Sequence, residues 1–287
     1  MGILYAEVIG DPISHSKSPL IHNFWLAKLG IEAEYRRARL REDDLGHYLD
    51  SRREDRNWRG CSVAMPHKRA AMPLLDALEP AAARIGAVNL VVREVNDPGH
   101  RIVGCNTDAL GFLEPLQGVI EHVHLFRMAR VLGAGGAARA IVAALRDHGF
   151  AFVVAARRLD QARELLEGSD PDFNHAVDIG HFSKATDFSF DDRSGVLDLL
   201  INATPLGMKG QPPLELDFSH VPPGAVVYDI VYDPVETPML AEARRRGHAT
   251  VDGLSMLIGQ AAVAFGRLFG SPAPREHDGE LRELLLR

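Results

Sequence analysis

The chain has 287 residues, and at roughly 150 residues per domain this is a prior for two domains. With 32 basic and 39 acidic residues the net charge is −7, and 46% apolar with 25% charged residues is an ordinary globular balance; collagen, low-complexity disorder and a disulfide scaffold are excluded. No uncharged stretch approaches the about 20 residues of a membrane span, and the acidic balance argues against nucleic acid or a membrane surface as partner. The first residues, Met-Gly-Ile-Leu-Tyr-Ala-Glu-Val, lack a basic region followed by an apolar core of signal-peptide length. Cys61 and Cys105 have no metal-type spacing. A reducing, cytoplasmic setting is expected.

In chain order, residues 3–9 read as a buried strand. Ser18-Pro19 opens a helix, with Ser18 as N-cap and Pro19 at the first helical position. Leu20, Ile21, Phe24 and Leu29 recur at helical spacing until Gly30. Residues 61–65 read as a strand ending at Pro66, and 67–78 as a helix disturbed by Pro73. Residues 87–92 and 101–103 are strands around the turn cluster Asn96-Asp97-Pro98-Gly99. Asp108 is placed to cap a helix over 109–116. The first third is therefore a small α/β unit.

Beyond it, 130–132 is a strand that leads into a glycine-rich turn. Ala137, Ile141, Ala144 and Leu145 then mark one helix face, closed by Gly149. Strands follow at 152–155, 199–203 and 225–231. Thr237-Pro238 opens a further helix that ends in Arg244, Arg245 and Arg246, where basic residues suit the helix dipole. Residues 170–194 read as polar and irregular, and the chain is mostly helical from Gly253. Alternating strands and helices imply a parallel sheet.

Gly133-Ala134-Gly135-Gly136-Ala137-Ala138 fits G-x-G-x-x-G/A between a strand and a helix, the context that gives this otherwise weak pattern its meaning. Gly133 permits the tight turn, Gly135 lets the backbone approach a pyrophosphate, and small Ala138 allows close helix–strand packing. NAD specificity calls for an acid about 20 residues on. The second strand instead ends Ala155-Ala156-Arg157-Arg158. Two guanidiniums suit a 2′-phosphate, so the expected cofactor is NADP.

Further motifs are more specific: Gly10-Asp11-Pro12-Ile13-Ser14-His15-Ser16-Lys17-Ser18-Pro19-Leu20-Ile21-His22-Asn23; Met65-Pro66-His67-Lys68; Gly86-Ala87-Val88-Asn89; Gly104-Cys105-Asn106-Thr107-Asp108; Ile201-Asn202-Ala203-Thr204-Pro205-Leu206-Gly207-Met208; and Asp252-Gly253-Leu254. Together and in this order they resemble the shikimate dehydrogenase family. The resemblance implies an N-terminal α/β substrate domain, residues 1–107 with 253–287, and a Rossmann-type NADP domain with a parallel sheet, residues 108–252. It implies hydride transfer between NADP(H) and shikimate or 3-dehydroshikimate in a cleft between the domains. Lys68 and Asp108 match the family's catalytic pair, Lys68 as acid/base and Asp108 as its orienting partner. Ser16, Ser18 and Tyr232 match residues near the substrate carboxylate; Asn89, Thr107 and Gln260 match those that bind ring hydroxyls. Ser62 and Ala64 line the same pocket. On the cofactor side stand Gly133, Ala134, Gly135, Gly136, Ala137, Arg157, Arg158, Asn202, Thr204, Pro205, Met208 and Gly253. Met208 and Met256 could equally be core.

The chain departs from the family pattern at several points. Ser62 stands for Asn, Ala64 for Thr, Leu90 for Thr, Ala109 for Gly, Ala156 for Asn and Arg158 for Thr. A hydrogen bond to a charged group is worth about 1.5–3 kcal/mol, so Ala64 and Ser62 leave the substrate open: shikimate, or quinate or an amino-substituted relative. A non-catalytic NADPH-binding sensor is the reading from another class, opposed by the presence of both Lys68 and Asp108. A folate-type two-domain dehydrogenase lacks the Ser16–Ser18 and Asn106–Asp108 runs. His67 is expected as a partly exposed residue at a helix start, and His122 with His124 lack a third ligand, so no metal is expected. The resemblance allows a monomer or a homodimer.

Overall fold

The computed structural model describes residues 2–94, 100–190 and 193–287; the turn cluster Asn96-Asp97-Pro98-Gly99 lies outside them. Two compact units divide the chain, Met1–Gly111 with Leu257–Arg287 and Phe112–Met256. Among the described residues the α-helices are α1 (Ser18–Leu29), α2 (Leu45–Arg53), α3 (Pro80–Ile85), α4 (Asp108–Leu113), α5 (Gln117–Ile120), α6 (Gly136–Arg146), α7 (Leu159–Leu165), α8 (Pro238–Arg245), α9 (Gly253–Phe269) and α10 (Asp278–Leu285).

The first unit is built on β1 (Leu4–Gly10), β2 (Ala33–Arg39), β3 (Trp58–Val63), β4 (Ala77–Leu78), β5 (Leu90–Arg93) and β6 (Ile102–Cys105). They form one sheet in the order β2-β1-β3-β5-β6-β4. β5 is antiparallel to β3 and β6 while the other pairs are parallel, so this sheet is mixed. Strand alternation sorts β1 onto two cores. Tyr5 and Ile9 pack with Leu45, Tyr48 and Leu49 of α2, whereas Ala6 and Val8 pack with Ala264 and Leu268 of α9. β2 is an edge strand, and the Asn23 side chain covers its middle: Nδ2 donates to Tyr35 O at 2.9 Å, and Oδ1 accepts from Tyr35 N at 2.8 Å.

The second unit carries β7 (Phe126–Leu132), β8 (Ala151–Ala156), β9 (His175–Asp178), β10 (Val196–Asn202), β11 (Val226–Asp229) and β12 (Ala249–Val251). All pairs are parallel, in the order β12-β11-β10-β7-β8-β9. This is the doubly wound dinucleotide-fold order, which reverses between β7 and β10, where such folds bind ligands beyond the strand ends. Leu199 and Ile201 of β10 face one core with Val131 and Val154, and Leu200 faces the other with Val227 and Leu240.

Four local expectations are corrected. Residues 67–78 do not form an α-helix: two prolines flank and interrupt them, and the Lys68 carbonyl accepts from Val88 N at 2.8 Å instead of continuing a helical ladder. Ser18 is not the N-cap of α1. Lys17 already has helical dihedrals and takes that place without a side-chain cap bond, and Ser18 N donates to Ser16 Oγ at 3.3 Å. The helix at Asp108 ends at Leu113, followed by a 3₁₀ turn over Glu114–Leu116 that contains Pro115. Residues 170–194 include the edge strand β9, whose polar, partly exposed sequence His175–Asp178 hides its period.

Candidate active site

β5 and β6 place the central groups of the first unit. They pair antiparallel with Leu90 opposite Cys105, so the residue before β5 and those after β6 emerge at one end of the sheet. Asn89 N donates to Cys105 O at 3.1 Å and Thr107 N donates to Asn89 Oδ1 at 2.7 Å. Asn106 fixes the turn into α4, its Nδ2 donating to Ala87 O at 2.9 Å and its Oδ1 accepting from Asp108 N at 3.0 Å. β3 ends beside them, since Val63 N donates to Asn89 O at 2.7 Å.

At this end Lys68 Nζ donates to Asp108 Oδ2 at 2.5 Å. Asn89 Nδ2 donates to the other oxygen, Oδ1, at 2.8 Å, and to Thr107 Oγ1 at 2.9 Å. Gln260 on α9 completes the group, with Oε1 at 3.3 Å from both Asn89 Nδ2 and Thr107 Oγ1. Asn89, Thr107 and Asp108 are buried, while the Lys68 side chain keeps 17% of its surface. The carboxylate is thus held on both oxygens, and the ammonium is the group within reach of solvent. Such a pair can move a proton to or from a hydroxyl without a metal. Among the described residues no group of three or more His, Cys, Asp or Glu could hold a metal ion.

Ser16, Ser18 and Ser62 are buried, and Ala64 is partly buried at the end of β3. Arg37 holds the turn at Ser16, its Nη2 donating to Ser16 O at 2.6 Å. Tyr35 Oη donates to Ser62 Oγ at 2.7 Å. Burial pushes the Tyr35 phenol upward, so it stays a donor. His22 stacks on Tyr35 with ring centroids 4.0 Å apart and planes within 5°. Burial holds its imidazole down at about 3, hence neutral. His67 is fully buried, a correction to the expected partial exposure, because its Nε2 donates to Leu40 O at 2.7 Å.

In the second unit Gly133 follows β7 with φ +116°, and a Cβ there would lie 2.7 Å from Ala203 O. The glycine therefore lets the turn after β7 approach the segment after β10. Gly135 differs: a Cβ would meet nothing within 4 Å. No side chain caps the α6 N-terminus that begins there, which leaves first-turn N–H groups open to a phosphate. Ala134 is buried, and Gly136 and Ala137 are half-buried in that turn. Arg157 and Arg158 are exposed beyond β8, and neither side chain has an ion-pair partner among the described residues. The donor set fits a phosphorylated dinucleotide.

Asn202 ends β10 and organises the segment after it. Its Nδ2 donates to Leu206 O at 3.0 Å, and its Oδ1 accepts from Thr204 N at 3.0 Å and Thr204 Oγ1 at 2.7 Å. Thr204, Pro205 and Met208 are half-buried. Met256 is a core residue packed with Phe112 and Tyr228. Gly253 is required by packing, since a Cβ would stand 2.4 Å from both Ile230 O and Val231 O. Tyr232 lies half-buried in the segment after β11.

Sequence reading missed Tyr35, Asn106 and Asp229. Asn106 lies inside the run Gly104–Asp108, but its bond to Ala87 O depends on a partner from another part of the chain. Tyr35 is the one buried residue of β2, and its place between charged Glu34 and Arg36 is the available signal. Asp229 is a buried carboxylate at the end of an apolar strand, Val226–Asp229, which the hydrophobic pattern alone treats as a boundary.

Residues 8–91 match the model of the shikimate dehydrogenase substrate binding domain. Over 98% of this chain and 97% of the relative, it is 46% identical to shikimate dehydrogenase (NADP(+)) of Sphingopyxis alaskensis. The corresponding protein of Methylobacterium radiotolerans is 44% identical over 94% and 92%. The crystal structure of shikimate 5-dehydrogenase from Thermus thermophilus in complex with NADP(H) and shikimate superposes with a TM-score of 0.81 at 35% identity, covering 99% of this chain and 100% of that one. With 46% identity sustained along nearly its whole length, the chain belongs to the shikimate dehydrogenase family.

Proposed function

We propose that this chain is an NADP-dependent oxidoreductase that interconverts shikimate and 3-dehydroshikimate. The observation that carries the reading is the Lys68–Asp108 pair, closed by Asn89, Thr107 and Gln260. NADP(H), when bound, accepts or donates the hydride. Lys68 Nζ, as the neutral amine, takes the hydroxyl proton during oxidation, and as the ammonium it gives a proton to the carbonyl oxygen during reduction; a positioned acid/base group is worth about 10²–10⁴ in rate. Asp108 orients Lys68 and accepts from a substrate hydroxyl. Asn89, Thr107 and Gln260 bind the remaining ring hydroxyls, and Ser16, Ser18 and Ser62 serve the carboxylate. The unit of Met1–Gly111 with Leu257–Arg287 is the substrate unit, and Phe112–Met256 is the cofactor unit. In the latter, the Gly133–Ala137 turn takes the pyrophosphate, Arg157 and Arg158 the 2′-phosphate, and Asn202 with Thr204–Met208 the nicotinamide side. Among the described residues no helix is long and apolar enough to cross a membrane, and the reaction is assigned to the cytoplasm.

Quinate is the second reading, favoured by one observation. Ala64 offers no hydroxyl, and Ser62 Oγ is engaged by Tyr35, so the carboxylate end of the pocket differs from the family pattern. The test is kcat/KM for shikimate and for quinate, each with NADP+ and NAD+. Shikimate with NADP+ is expected to lead; a quinate preference above tenfold moves the assignment, and no turnover of either acid overturns it.

A further inference from the structure

Asp229 closes β11 with 1% of its surface exposed. Its carboxylate accepts three hydrogen bonds, none from a cation. Oδ1 accepts from Asn202 Nδ2 at 2.9 Å and from Val231 N at 3.0 Å, and Oδ2 accepts from Thr237 Oγ1 at 2.7 Å. Thr237 in turn caps α8 by accepting from Leu240 N. A buried carboxylate without a counter-ion is a costly way to end a strand, and burial raises its proton affinity accordingly.

The geometry gives that carboxylate a task. An asparagine amide can be turned end for end, and its two ends have opposite hydrogen-bonding character. An ionised carboxylate only accepts, so Asp229 dictates that Asn202 turns its NH₂ inward and its oxygen toward Thr204. Both Nδ2 protons are then used, on Asp229 and Leu206, and Oδ1 is filled by Thr204. Thr204 Oγ1 next accepts from Leu206 N at 3.1 Å. The same carboxylate orders the start of the segment after β11 through Val231 N, and the two segments are joined where Ile230 N donates to Asn202 O at 3.1 Å and Lys209 N to Asp233 O at 2.8 Å.

We propose that Asp229 is a positioning residue for the nicotinamide half of the cofactor, fixing the Asn202–Leu206 segment while leaving the adenosine half untouched. The inference rests on the cofactor assignment made above. Arg157 and Arg158 stand on the other side of the switch point, at the end of β8, and none of the bonds just described reaches them.

The test compares two ligands on the full chain: NADPH, and adenosine 2′,5′-bisphosphate, which keeps the 2′-phosphate and lacks the nicotinamide. Asp229→Ala is expected to weaken NADPH at least tenfold and leave the bisphosphate within twofold. Asp229→Asn, which keeps the shape and one acceptor, is expected to fall between wild type and Asp229→Ala for NADPH, again with the bisphosphate unchanged. In whichever variant folds, an equal loss for both ligands, or a loss for neither, overturns the proposal. A wild-type chain that binds neither ligand overturns the cofactor assignment itself, whereas wild-type binding with an unselective loss overturns the positioning role alone.

Discussion

The Tyr35 hydroxyl stands 2.7 Å from Ser62 Oγ and donates to it. Ser62 is a shorter side chain than the asparagine of the family pattern, and on its own would be a free rotor. With one lone pair engaged by Tyr35, the Ser62 hydroxyl keeps its proton for a ligand. A long side chain from β2 and a short one from β3, with β1 between the two strands, thus present one oriented donor.

Tyr35→Phe keeps the ring on which His22 stacks and removes this bond. A neutral hydrogen bond is worth about 0.5–1.5 kcal/mol, so KM for shikimate should rise about two- to tenfold. Steady-state kinetics at saturating NADP+ check this, and KM for NADP+ should not move. An unchanged shikimate KM removes Tyr35 from substrate binding.

Lys68→Ala should lower kcat at least a hundredfold, in line with the rate attributed to positioned proton transfer. NADPH affinity, read by fluorescence titration, should stay within twofold. The variant leaves Asp108 with the Asn89 bond, so the turn and its fold persist; retained turnover would show that Lys68 carries no proton in the reaction.

Arg157 and Arg158 together should give NADPH at least a tenfold lower dissociation constant than NADH. Replacing both with alanine should erase most of that preference by weakening NADPH, with NADH little changed. Equal affinities for the two nucleotides in the wild-type chain would sink the assignment of these guanidiniums to a 2′-phosphate.

Two buried groups should tilt stability with pH in opposite directions. His22 is held at about 3, below its ordinary 6.5, by burial. As pH falls from about 6.5 toward 3 the unfolded state takes up the proton first, so His22 costs stability on the acid side. Asp229 is raised by burial to about 6 from 3.8, with Thr237, the Val231 amide and Asn202 holding it back. As pH rises from about 4 through 6 the native carboxyl keeps a proton the unfolded one has lost, so Asp229 costs stability on the alkaline side. At 1.36 kcal/mol per unit, His22→Phe should recover roughly 3 kcal/mol relative to wild type between pH 6.5 and 4, and Asp229→Asn roughly 3 kcal/mol between pH 4 and 7. Urea unfolding at stepped pH checks both; parallel profiles for variant and wild type would falsify the corresponding slope.

The glycine turn could be read in the sequence because its geometry is local: Gly133 and Gly135 sit between a strand and a helix that each announce themselves by period. Lys68 and Asp108 could be read because they stand inside unusual runs of residues. What escaped depends on partners far along the chain. Residues 67–78 look helical until the Lys68 carbonyl is seen to accept from Val88 N, and no local propensity contains that bond. Ser18 looks like a cap until Ser16 takes its N–H. Tyr35 and Ser62 are 27 positions apart, as are Asn202 and Asp229; their pairing is decided by sheet order.

At the margin of the first sheet, the two bonds between Asn23 and the Tyr35 backbone occupy groups that another extended peptide would need in order to dock there. Exposed strand margins are templates for lateral growth into fibres. A single amide, supplied by the helix that follows β1, blunts this one, and Asn23→Ala would reopen it.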